Sequence, residues 1–539
     1  MPKMVFPQYK RGRNGIECGE GTILDHARRL GVQLPSECGG RGQCRRCVVR
    51  VEHGAEALSD KSAAEHAANL AEGERLACQA RVLGSADIRV FAKAAGPYAI
   101  LSTSEYQQVE LVPRAYRSGD SVVVSTAHGE QVVGPYRGGI FGLAVDVGTT
   151  TVVSALVDLE SGATLATLAE RNPQTAYGDD VISRIGYTRD HDGGLAELQA
   201  AVINSLNQLL AEWERSNRQV SKQVYDVVVV GNPTMRDIFF GVDVSSLGVI
   251  PFQPQSTEAI MASGPALGLR VNHAARVYGG PLIGGHAGAD AVADVLASGM
   301  HTRSEPSMVV DIGTNGEVVV GSRDRMLAAS CAAGGAYEGY AVGCGVGALE
   351  GAISNIAIMD GHLSYQTIGG KPAVGLCGSG LIDLLAELLR TGLMNRAGKL
   401  ATPGRQFAID GNVGLVLTQE DVNNLMVARA GMSLDQVALV AHWGIAPTDL
   451  QHVFLAGAFG NYVSAENAAR IGLLPDLPER IVRLGNGALE GARLMLLSQD
   501  KRREAETVAR KIEHIRPNED SEFFDALVDR MCFEAWGHH

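Results

Sequence analysis

Four cysteines near the start of the chain have the spacing of an iron–sulfur ligand set. Cys38, Cys44 and Cys47 lie close together in a glycine-rich stretch, and Cys78 follows after a gap of thirty residues. Three thiolates on one loop and a fourth from a distant strand are typical of a [2Fe–2S] cluster, which the loop must wrap. Zinc sites more often combine two Cys-x2-Cys pairs, and this stretch has one, so the spacing favours iron over zinc.

The remaining cysteines do not extend this pattern. Cys18 lies outside the spacing, which predicts a buried or incidental thiol without a ligand role. Cys331, Cys344 and Cys377 flank small glycine and alanine turns, where cysteine serves as a small apolar residue. A second cluster at these three cysteines is the less favoured alternative.

An Asp-x-Gly-Thr pattern occurs twice, and the two copies are 165 residues apart. Each copy lies between two apolar runs, which predicts a β-hairpin with the pattern at its tip. Backbone N–H groups and threonine hydroxyls at such a tip bind phosphate oxygens, and the carboxylate suits Mg²⁺ and its waters. The predicted catalytic carboxylates are Asp146 and Asp311. The predicted phosphate contacts are Gly148, Thr149, Thr150, Gly313, Thr314, Asn315 and Gly316.

Two further patterns follow in the second half of the chain. Gly457 and Gly460 come after an apolar strand, and such a small-residue turn lets the backbone lie against adenosine. A second glycine pattern opens an amphipathic helix and is a candidate anion or nucleotide contact; it consists of Gly378, Ser379 and Gly380. Each pattern alone is a plain turn, but their joint order favours a nucleotide site. Glu317 is predicted to cap its turn, with orientation of a water as the alternative, and Glu338 faces either the cleft or the surface.

The elements that position these residues divide the chain into three segments. Residues 1–92 combine short strands with one helix, whose apolar face is Ile23, Leu24, Ala27 and Leu30. Residues 93–140 are interpreted as a linker with a small β element. Residues 141–539 alternate strands and helices and form the duplicated part. Its first lobe covers about 141–305, its second about 306–500, and residues 501–539 form a tail.

Composition excludes several classes of protein. The chain has 539 residues with 45% hydrophobic residues and a net charge of −13, which is ordinary for a globular protein and unsuited to generic nucleic-acid binding. No apolar run reaches 18 residues, so no membrane span is expected. The first residues lack the apolar stretch of a secretory signal, and a cytoplasmic location is expected.

These patterns together resemble known families. The cysteine module is similar to [2Fe–2S] ferredoxins of the adrenodoxin kind, and the duplicated part resembles the acetate and sugar kinase, Hsp70 and actin superfamily. Several segments are more specific and resemble the ATP-dependent reductive activators of corrinoid proteins, over about residues 1–92 and 141–495. These segments are NPQTAYGDDVISRI (172–185), GNPTMRDIFFGVD (231–243), GGHAGADAVADVL (284–296), AAGGAYEG (332–339), CGSGLIDLL (377–385) and LAGAFGNYV (455–463).

The resemblance implies a multidomain α/β protein, with an N-terminal β-grasp [2Fe–2S] ferredoxin-like domain and a duplicated actin/Hsp70/sugar-kinase-like ATPase core. It implies one-electron reduction of an inactive Co(II) corrinoid to Co(I), with ATP and Mg²⁺ as further requirements. The expected partners are a corrinoid protein of a methyltransferase system and an upstream protein electron donor; a homodimer is left open. The alternatives are a metabolite kinase with a redox-sensing ferredoxin domain, and a ferredoxin carrier with a non-hydrolysing ATPase-like docking domain.

Overall fold

The fold is taken from a computed structural model. It describes residues 2–6, 15–30, 32, 34, 42, 47–68, 70, 73–92, 107–216, 220–331, 335–339, 342–411, 414–457 and 462–537. In this part of the chain, no helix is both long and apolar enough to cross a membrane.

The N-terminal segment forms a five-stranded sheet with the order β2-β1-β5-β3-β4, and β1 pairs with β5 in parallel. The predicted helix is present, and Ile23, Leu24 and Ala27 are buried in the core of this domain. The elements of this domain are β1 (Lys3–Val5), β2 (Gly15–Glu17), α1 (Ile23–Leu30), β3 (Val48–His53), α2 (Ala63–His66), β4 (Glu74–Leu76) and β5 (Ile88–Ala92).

The small β element predicted within 93–140 is a three-stranded antiparallel sheet of β6 (Ala115–Ser118), β7 (Ser121–Thr126) and β8 (Gly129–Pro135). Residues before it contact a helix of the C-terminal part. The Gln107 N–H donates to Glu490 at 2.9 Å, and the Val112 N–H donates to the Leu497 carbonyl at 3.0 Å. These contacts hold residues 107–112 against the C-terminal part.

Two six-stranded sheets follow, with the orders β11-β10-β9-β12-β14-β13 and β24-β23-β15-β16-β17-β25. The elements of the first sheet and its helices are β9 (Phe141–Val147), β10 (Thr151–Asp158), β11 (Thr164–Arg171), α3 (Val181–Asp190), α4 (Gly194–Ser216), β12 (Val224–Val230), α5 (Pro233–Phe240), β13 (Ile260–Ser263), β14 (Arg276–Gly279) and α6 (Ala289–Ser298).

The second half is longer because it carries two additional small sheets. Its elements are β15 (Ser307–Ile312), β16 (Gly316–Gly321), β17 (Met326–Cys331), β18 (Ala352–Met359), β19 (His362–Thr367), β20 (Gly375–Leu376), α7 (Gly378–Arg390), β21 (Gln406–Asp410), β22 (Leu415–Thr418), α8 (Gln419–Trp443), β23 (His452–Ala456), α9 (Ala465–Arg470), β24 (Ile481–Gly485), α10 (Gly487–Leu497), α11 (Gln499–Lys511), β25 (Ile512–His514) and α12 (Phe523–Asp529).

The duplication predicted from the repeated motif is present in the topology. In each large sheet, an antiparallel meander of three strands is extended by two parallel strands on the side of its first strand. Helices α6 and α10 pack against each other, and their apolar side chains share one core with residues from both sheets. The two Asp-x-Gly-Thr hairpins, β9–β10 and β15–β16, are therefore equivalent parts of two related sheets.

The helix predicted to begin at Gly378 is present as α7, but its first residues pack inside the second half. Gly378, Ser379 and Gly380 are buried, and the Ser379 hydroxyl donates to the Ser354 carbonyl at 2.8 Å. A methyl group at Gly380 would lie 2.3 Å from the Ile353 carbonyl oxygen. The structure thus places these three residues in a helix–strand contact and not among the residues that line the cleft described below.

We expect Gly380→Ala to lower the free energy of unfolding of the C-terminal part by about 1–3 kcal/mol, because the added methyl overpacks this contact. The matched control is Gly186→Ala inside α3, where an added methyl meets nothing within 4 Å. There the gain in helix propensity predicts a small stabilisation of up to about 1 kcal/mol. Scanning calorimetry and nucleotide titration check both variants. Unchanged stability with weaker nucleotide binding in Gly380→Ala would instead support a nucleotide contact.

Candidate nucleotide cleft and iron–sulfur site

The tips of the two repeated hairpins contact each other directly. The hydroxyl oxygens of Thr150 and Thr314 are 2.6 Å apart, although 164 residues separate them in sequence. A cleft opens at this contact, between the two large sheets. It is lined by Asp146, Gly148, Thr149, Thr150, Thr151, Val153, Asn232, Asp290, Asp311, Ile312, Gly313, Thr314, Asn315, Glu317, Glu338, Gly457, Asn486 and Ala488.

Glu338 bridges the two hairpin tips. Its carboxylate accepts hydrogen bonds from the hydroxyls of both Thr150, at 3.1 Å, and Thr314. Burial raises the pKa of Glu338, whereas the two hydroxyl donors lower it. Both hydroxyls were predicted to donate to phosphate oxygens. The Glu338 carboxylate therefore accepts the same hydroxyl hydrogen bonds that an incoming phosphate would need.

Three aspartates concentrate acidic groups in the cleft. Burial raises the pKa of Asp146 to about 7, that of Asp290 to about 8 and that of Asp311 to about 6. The mutual repulsion of these carboxylates adds to the effect at Asp146 and Asp290. Burial and repulsion both disfavour the charged forms of these carboxylates, so a cation bound beside them would lower their pKa values.

Two asparagines cap helices and donate hydrogen bonds to residues of the cleft. Asn232 caps α5 by accepting from the Met235 N–H at 3.0 Å, and its amide donates to the Thr149 hydroxyl at 2.9 Å. Asn486 caps α10 in the same way, and its amide donates to Asp146 at 3.0 Å. Each cap fixes its side chain with the oxygen toward the helix, which leaves the amide N–H₂ to face the cleft.

Gly457 brings the strand β23 close to the second hairpin. A methyl group on Gly457 would lie 2.5 Å from the Ile312 carbonyl oxygen and 2.9 Å from the Asp311 carboxylate. Its φ of +113° is also in a region that other residues rarely adopt. Both observations explain why glycine stands at this position beside the predicted catalytic carboxylate.

Most of the residues predicted for the nucleotide site line this cleft. They are Asp146, Gly148, Thr149, Thr150, Asp311, Gly313, Thr314, Asn315 and Gly457. Gly316, also predicted for the site, lies behind the second tip, where an added methyl would meet Cys331 and Met432. Gly460 lies outside the described residues. Glu317 lines the cleft and accepts from the Ser330 hydroxyl at 3.4 Å.

Sequence reasoning did not single out Asp290, Asn232 or Asn486. Each of them lies in a sequence pattern typical of a helix start. Asn232 precedes a proline, Asn486 lies between two glycines, and Asp290 follows Gly288 at the beginning of α6. Those signals predict helix starts, and only the three-dimensional arrangement shows that the helices point into one cleft.

Two of the four predicted cluster ligands lie together in the N-terminal domain. The Cys78 N–H donates to the Cys47 sulfur at 3.5 Å, and Cys38 and Cys44 lie outside the described residues. Hydrogen bonding to Cys47 lowers the pKa of Cys78 to about 6, helped by the amide of Gln79 and the N–H of Gly42. N–H donors around thiolates are the surroundings that an iron–sulfur cluster requires, so these residues fit the predicted ligand set.

Buried polar contacts hold β4 and the following turn, which carries Cys78, in place. Glu65, which caps α2, accepts from Arg75 at 2.8 Å and from the Leu76 N–H at 3.0 Å, and its carboxylate is buried. The first residues of α1 contact the same stretch, because the Leu24 N–H donates to the Ala77 carbonyl at 2.9 Å. The position of Cys78 therefore depends on both helices of the domain.

The other cysteines have separate surroundings. Cys18 is buried, as expected, and Cys344 and Cys377 are buried as well. Burial raises the pKa of Cys331, Cys344 and Cys377, and their neighbours differ: Asp435, Asp421 and Ser379. Among the described residues, no group of three or more histidine, cysteine or acidic side chains is arranged to hold a metal ion. These observations do not support a second cluster at Cys331, Cys344 and Cys377.

The class of this protein is defined by a [2Fe–2S]-type domain and a duplicated core of the actin, Hsp70 and sugar-kinase type. Family models agree with this description along the chain. The 2Fe-2S iron-sulfur cluster binding domain matches residues 10–83, the RACo middle region matches residues 141–303, and the C-terminal ASKHA domain of RACo matches residues 305–538. The chain belongs to the RACo family.

Two curated relatives and one solved structure are similar over long stretches. The corrinoid activation enzyme RamQ of Eubacterium limosum is 29% identical, over 95% of this chain and 96% of RamQ. The [Co(II) methylated amine-specific corrinoid protein] reductase of Methanosarcina barkeri is 27% identical, over 69% of this chain and 73% of the reductase. A solved reductive activator for a corrinoid, iron-sulfur protein has a TM-score of 0.75 and 28% identity, with 99% of each chain covered.

The Glu338 bridge predicts that Glu338→Gln binds a non-hydrolysable ATP analogue about tenfold more tightly, which corresponds to about 1.4 kcal/mol. The physical reason is that the substitution removes a negative charge from donors that the phosphates need. The matched control is Glu350→Gln, because Glu350 is exposed and twelve residues away in sequence. Calorimetric titration in the presence of Mg²⁺ measures both affinities. Equal or weaker binding by Glu338→Gln than by the control would show that Glu338 does not compete with phosphate.

Proposed function

We propose that this chain uses ATP to reduce the cobalt of a partner corrinoid protein from Co(II) to Co(I), with the electron delivered from its N-terminal domain. The observation that carries the proposal is the meeting of the two hairpin tips at Thr150 and Thr314, in a chain that also has a [2Fe–2S]-type domain. Two opposed tips with hydroxyls and carboxylates form a clamp for a nucleoside triphosphate and Mg²⁺. The similarity to a corrinoid activation enzyme, a Co(II) corrinoid protein reductase and a reductive activator supports corrinoid reduction as the purpose of that clamp.

The proposed division of labour follows the three segments of the chain. Residues 1–92 hold the cluster, residues 93–140 connect it, and residues 141–539 bind ATP. Cys38, Cys44, Cys47 and Cys78 are the proposed cluster ligands, and the cluster supplies a one-electron carrier when it is bound there.

In the cleft, Asp146 and Asp311 are proposed to hold Mg²⁺ through its waters and to orient the attacking water. Thr150 and Thr314 are proposed to donate to the phosphates, together with backbone N–H groups of the two tips. The strand end at Gly457 is proposed to support the adenosine.

Because the carboxylates have raised pKa values, they bind the metal only after they lose their protons. We propose that nucleotide binding with Mg²⁺ strengthens as the pH rises from about 6 to 8.

The proposed partner is a corrinoid protein of a methyltransferase system, and the proposed source of electrons is another protein. A metabolite kinase with a redox-sensing domain has no observation in its favour here. The metabolite kinase predicts a phosphorylated small molecule, whereas the proposed function predicts ATP turnover that a corrinoid protein stimulates.

Asp311→Ala should lower the rate of ATP-dependent Co(I) formation by at least about a hundredfold, because the carboxylate is proposed to act on the metal and the attacking water. The variant should keep its cluster intact. The measurement mixes the dithionite-reduced protein with a Co(II) corrinoid protein and ATP, and follows the visible absorption of Co(I). Asp324→Ala is the matched control, since the Asp324 side chain is 79% exposed in a turn of the same half. Iron content and cluster absorption should be the same in both variants.

A different result would separate the alternatives. If wild type and Asp311→Ala both reduce the corrinoid at the same rate without ATP, the chain is a simple electron carrier with an idle ATPase-like part. If a small molecule becomes phosphorylated and the corrinoid does not stimulate ATP turnover, the chain is a kinase.

A further inference from the structure

One segment of the first half contacts both the cleft and the cluster domain. It covers residues 172–177, which begin the NPQTAYGDDVISRI stretch and which the proposed function leaves without a role. Residues Pro173–Ala176 form a single helical turn that Asn172 caps. We call residues 172–177 the bridging segment.

The bridging segment is bound to the tip of the first hairpin. The Asn172 N–H donates to the Thr150 carbonyl at 2.7 Å, and its side-chain amide donates to the Gly148 carbonyl at 2.8 Å. The guanidinium of Arg184 adds a second connection, because it donates to the Thr149 carbonyl and, at 3.2 Å, to the side chain of Gln174. A shift of the first tip must therefore move the bridging segment or break these bonds.

The other end of the bridging segment meets the cluster domain. Arg28, near the end of α1, donates to the Ala176 carbonyl, and its guanidinium lies 5.1 Å from the ring centroid of Tyr177. A charge-assisted hydrogen bond and a cation–π contact from one side chain form a specific junction between two domains. The Arg28 side chain is only 15% exposed.

Helix α1 connects this junction to the cluster ligands. The Ile23 N–H donates to the Ala80 carbonyl at 3.0 Å, and the Leu24 N–H donates to the Ala77 carbonyl at 2.9 Å. These two carbonyls flank Cys78 in sequence. A continuous series of bonds thus runs from the turn that carries Cys78 through α1, Arg28 and the bridging segment to the first hairpin tip.

We infer that Arg28 and the bridging segment form the docking surface that holds the cluster domain on the first lobe, and that nucleotide binding releases it. This inference rests on the proposed function. In the structure, the Thr150 hydroxyl donates to Glu338 and contacts the Thr314 hydroxyl, and the cluster domain is docked. Phosphates that take the Thr150 hydroxyl displace this arrangement, and the tip transmits the change through Asn172 to Ala176. Release frees the cluster domain to approach a corrinoid on another protein.

Because coupling between two sites is reciprocal, loss of docking must also change nucleotide affinity. The cluster domain is docked in the state in which Glu338 accepts from the cleft hydroxyls. Removing the docking contact therefore favours the nucleotide-bound form. Arg28→Ala should therefore bind a non-hydrolysable ATP analogue with Mg²⁺ about three- to tenfold more tightly than wild type. Arg28→Lys, which keeps the charge but loses the planar guanidinium, should lie between the two.

The experiment uses the full-length protein with its cluster loaded and contains no corrinoid protein. Calorimetric titration gives the affinity for the analogue, and small-angle X-ray scattering gives the radius of gyration with and without it. Wild type should expand when the analogue binds, and Arg28→Ala should have the expanded radius already without it. The matched control is Arg50→Ala, because Arg50 is an exposed arginine on β3 of the same domain.

Equal affinities and equal radii for Arg28→Ala and Arg50→Ala overturn the inference, as does a wild-type radius that the analogue does not change. The radius separates a docking role from a merely structural role of Arg28, since a local packing defect does not reproduce the nucleotide-bound radius. A failure of cobalt reduction in the coupled assay overturns the proposed function and does not explain any of these results, because the nucleotide is the only ligand added.

Discussion

The two halves of the ATPase-like core depend on a hydrogen-bonded meeting of two hairpin tips. Thr150 and Thr314 contact each other, and the Glu338 carboxylate accepts from both hydroxyls. Several more carboxylates lie in the same cleft, and burial raises their pKa values. Burial disfavours the charged forms of these groups, and a cation that entered with a nucleotide would stabilise them. In the proposed function, the phosphates take the donors that Glu338 holds.

Much of this architecture could be predicted from the sequence because its signals are local. Apolar runs on both sides of Asp146 and Asp311 predicted the hairpins, and their repetition predicted the related sheets. The apolar face of residues 23–30 likewise predicted α1. The cysteine spacing and the quoted segments indicated the family, and the family models agree.

What the sequence could not predict depends on contacts between distant residues. Nothing local shows that Glu338 bonds to Thr150, which lies 188 positions earlier, or that Asn486 reaches Asp146. The sequence alone also could not place the Gly-Ser-Gly pattern at Gly378. A glycine at a helix start serves an anion or a close neighbouring strand equally well, and the approach of Ile353 to Gly380 appears only in three dimensions.

In the proposed function, ATP makes an unfavourable reduction of cobalt proceed, and a redox titration measures this effect. The reduced, cluster-loaded protein and a Co(II) corrinoid protein are held at a series of fixed potentials without nucleotide, with ADP and with ATP, and the fraction of Co(I) is read from its absorption. We expect a larger Co(I) fraction with ATP than with ADP or no nucleotide at the same potential. Superimposable titration curves under the three conditions would contradict it.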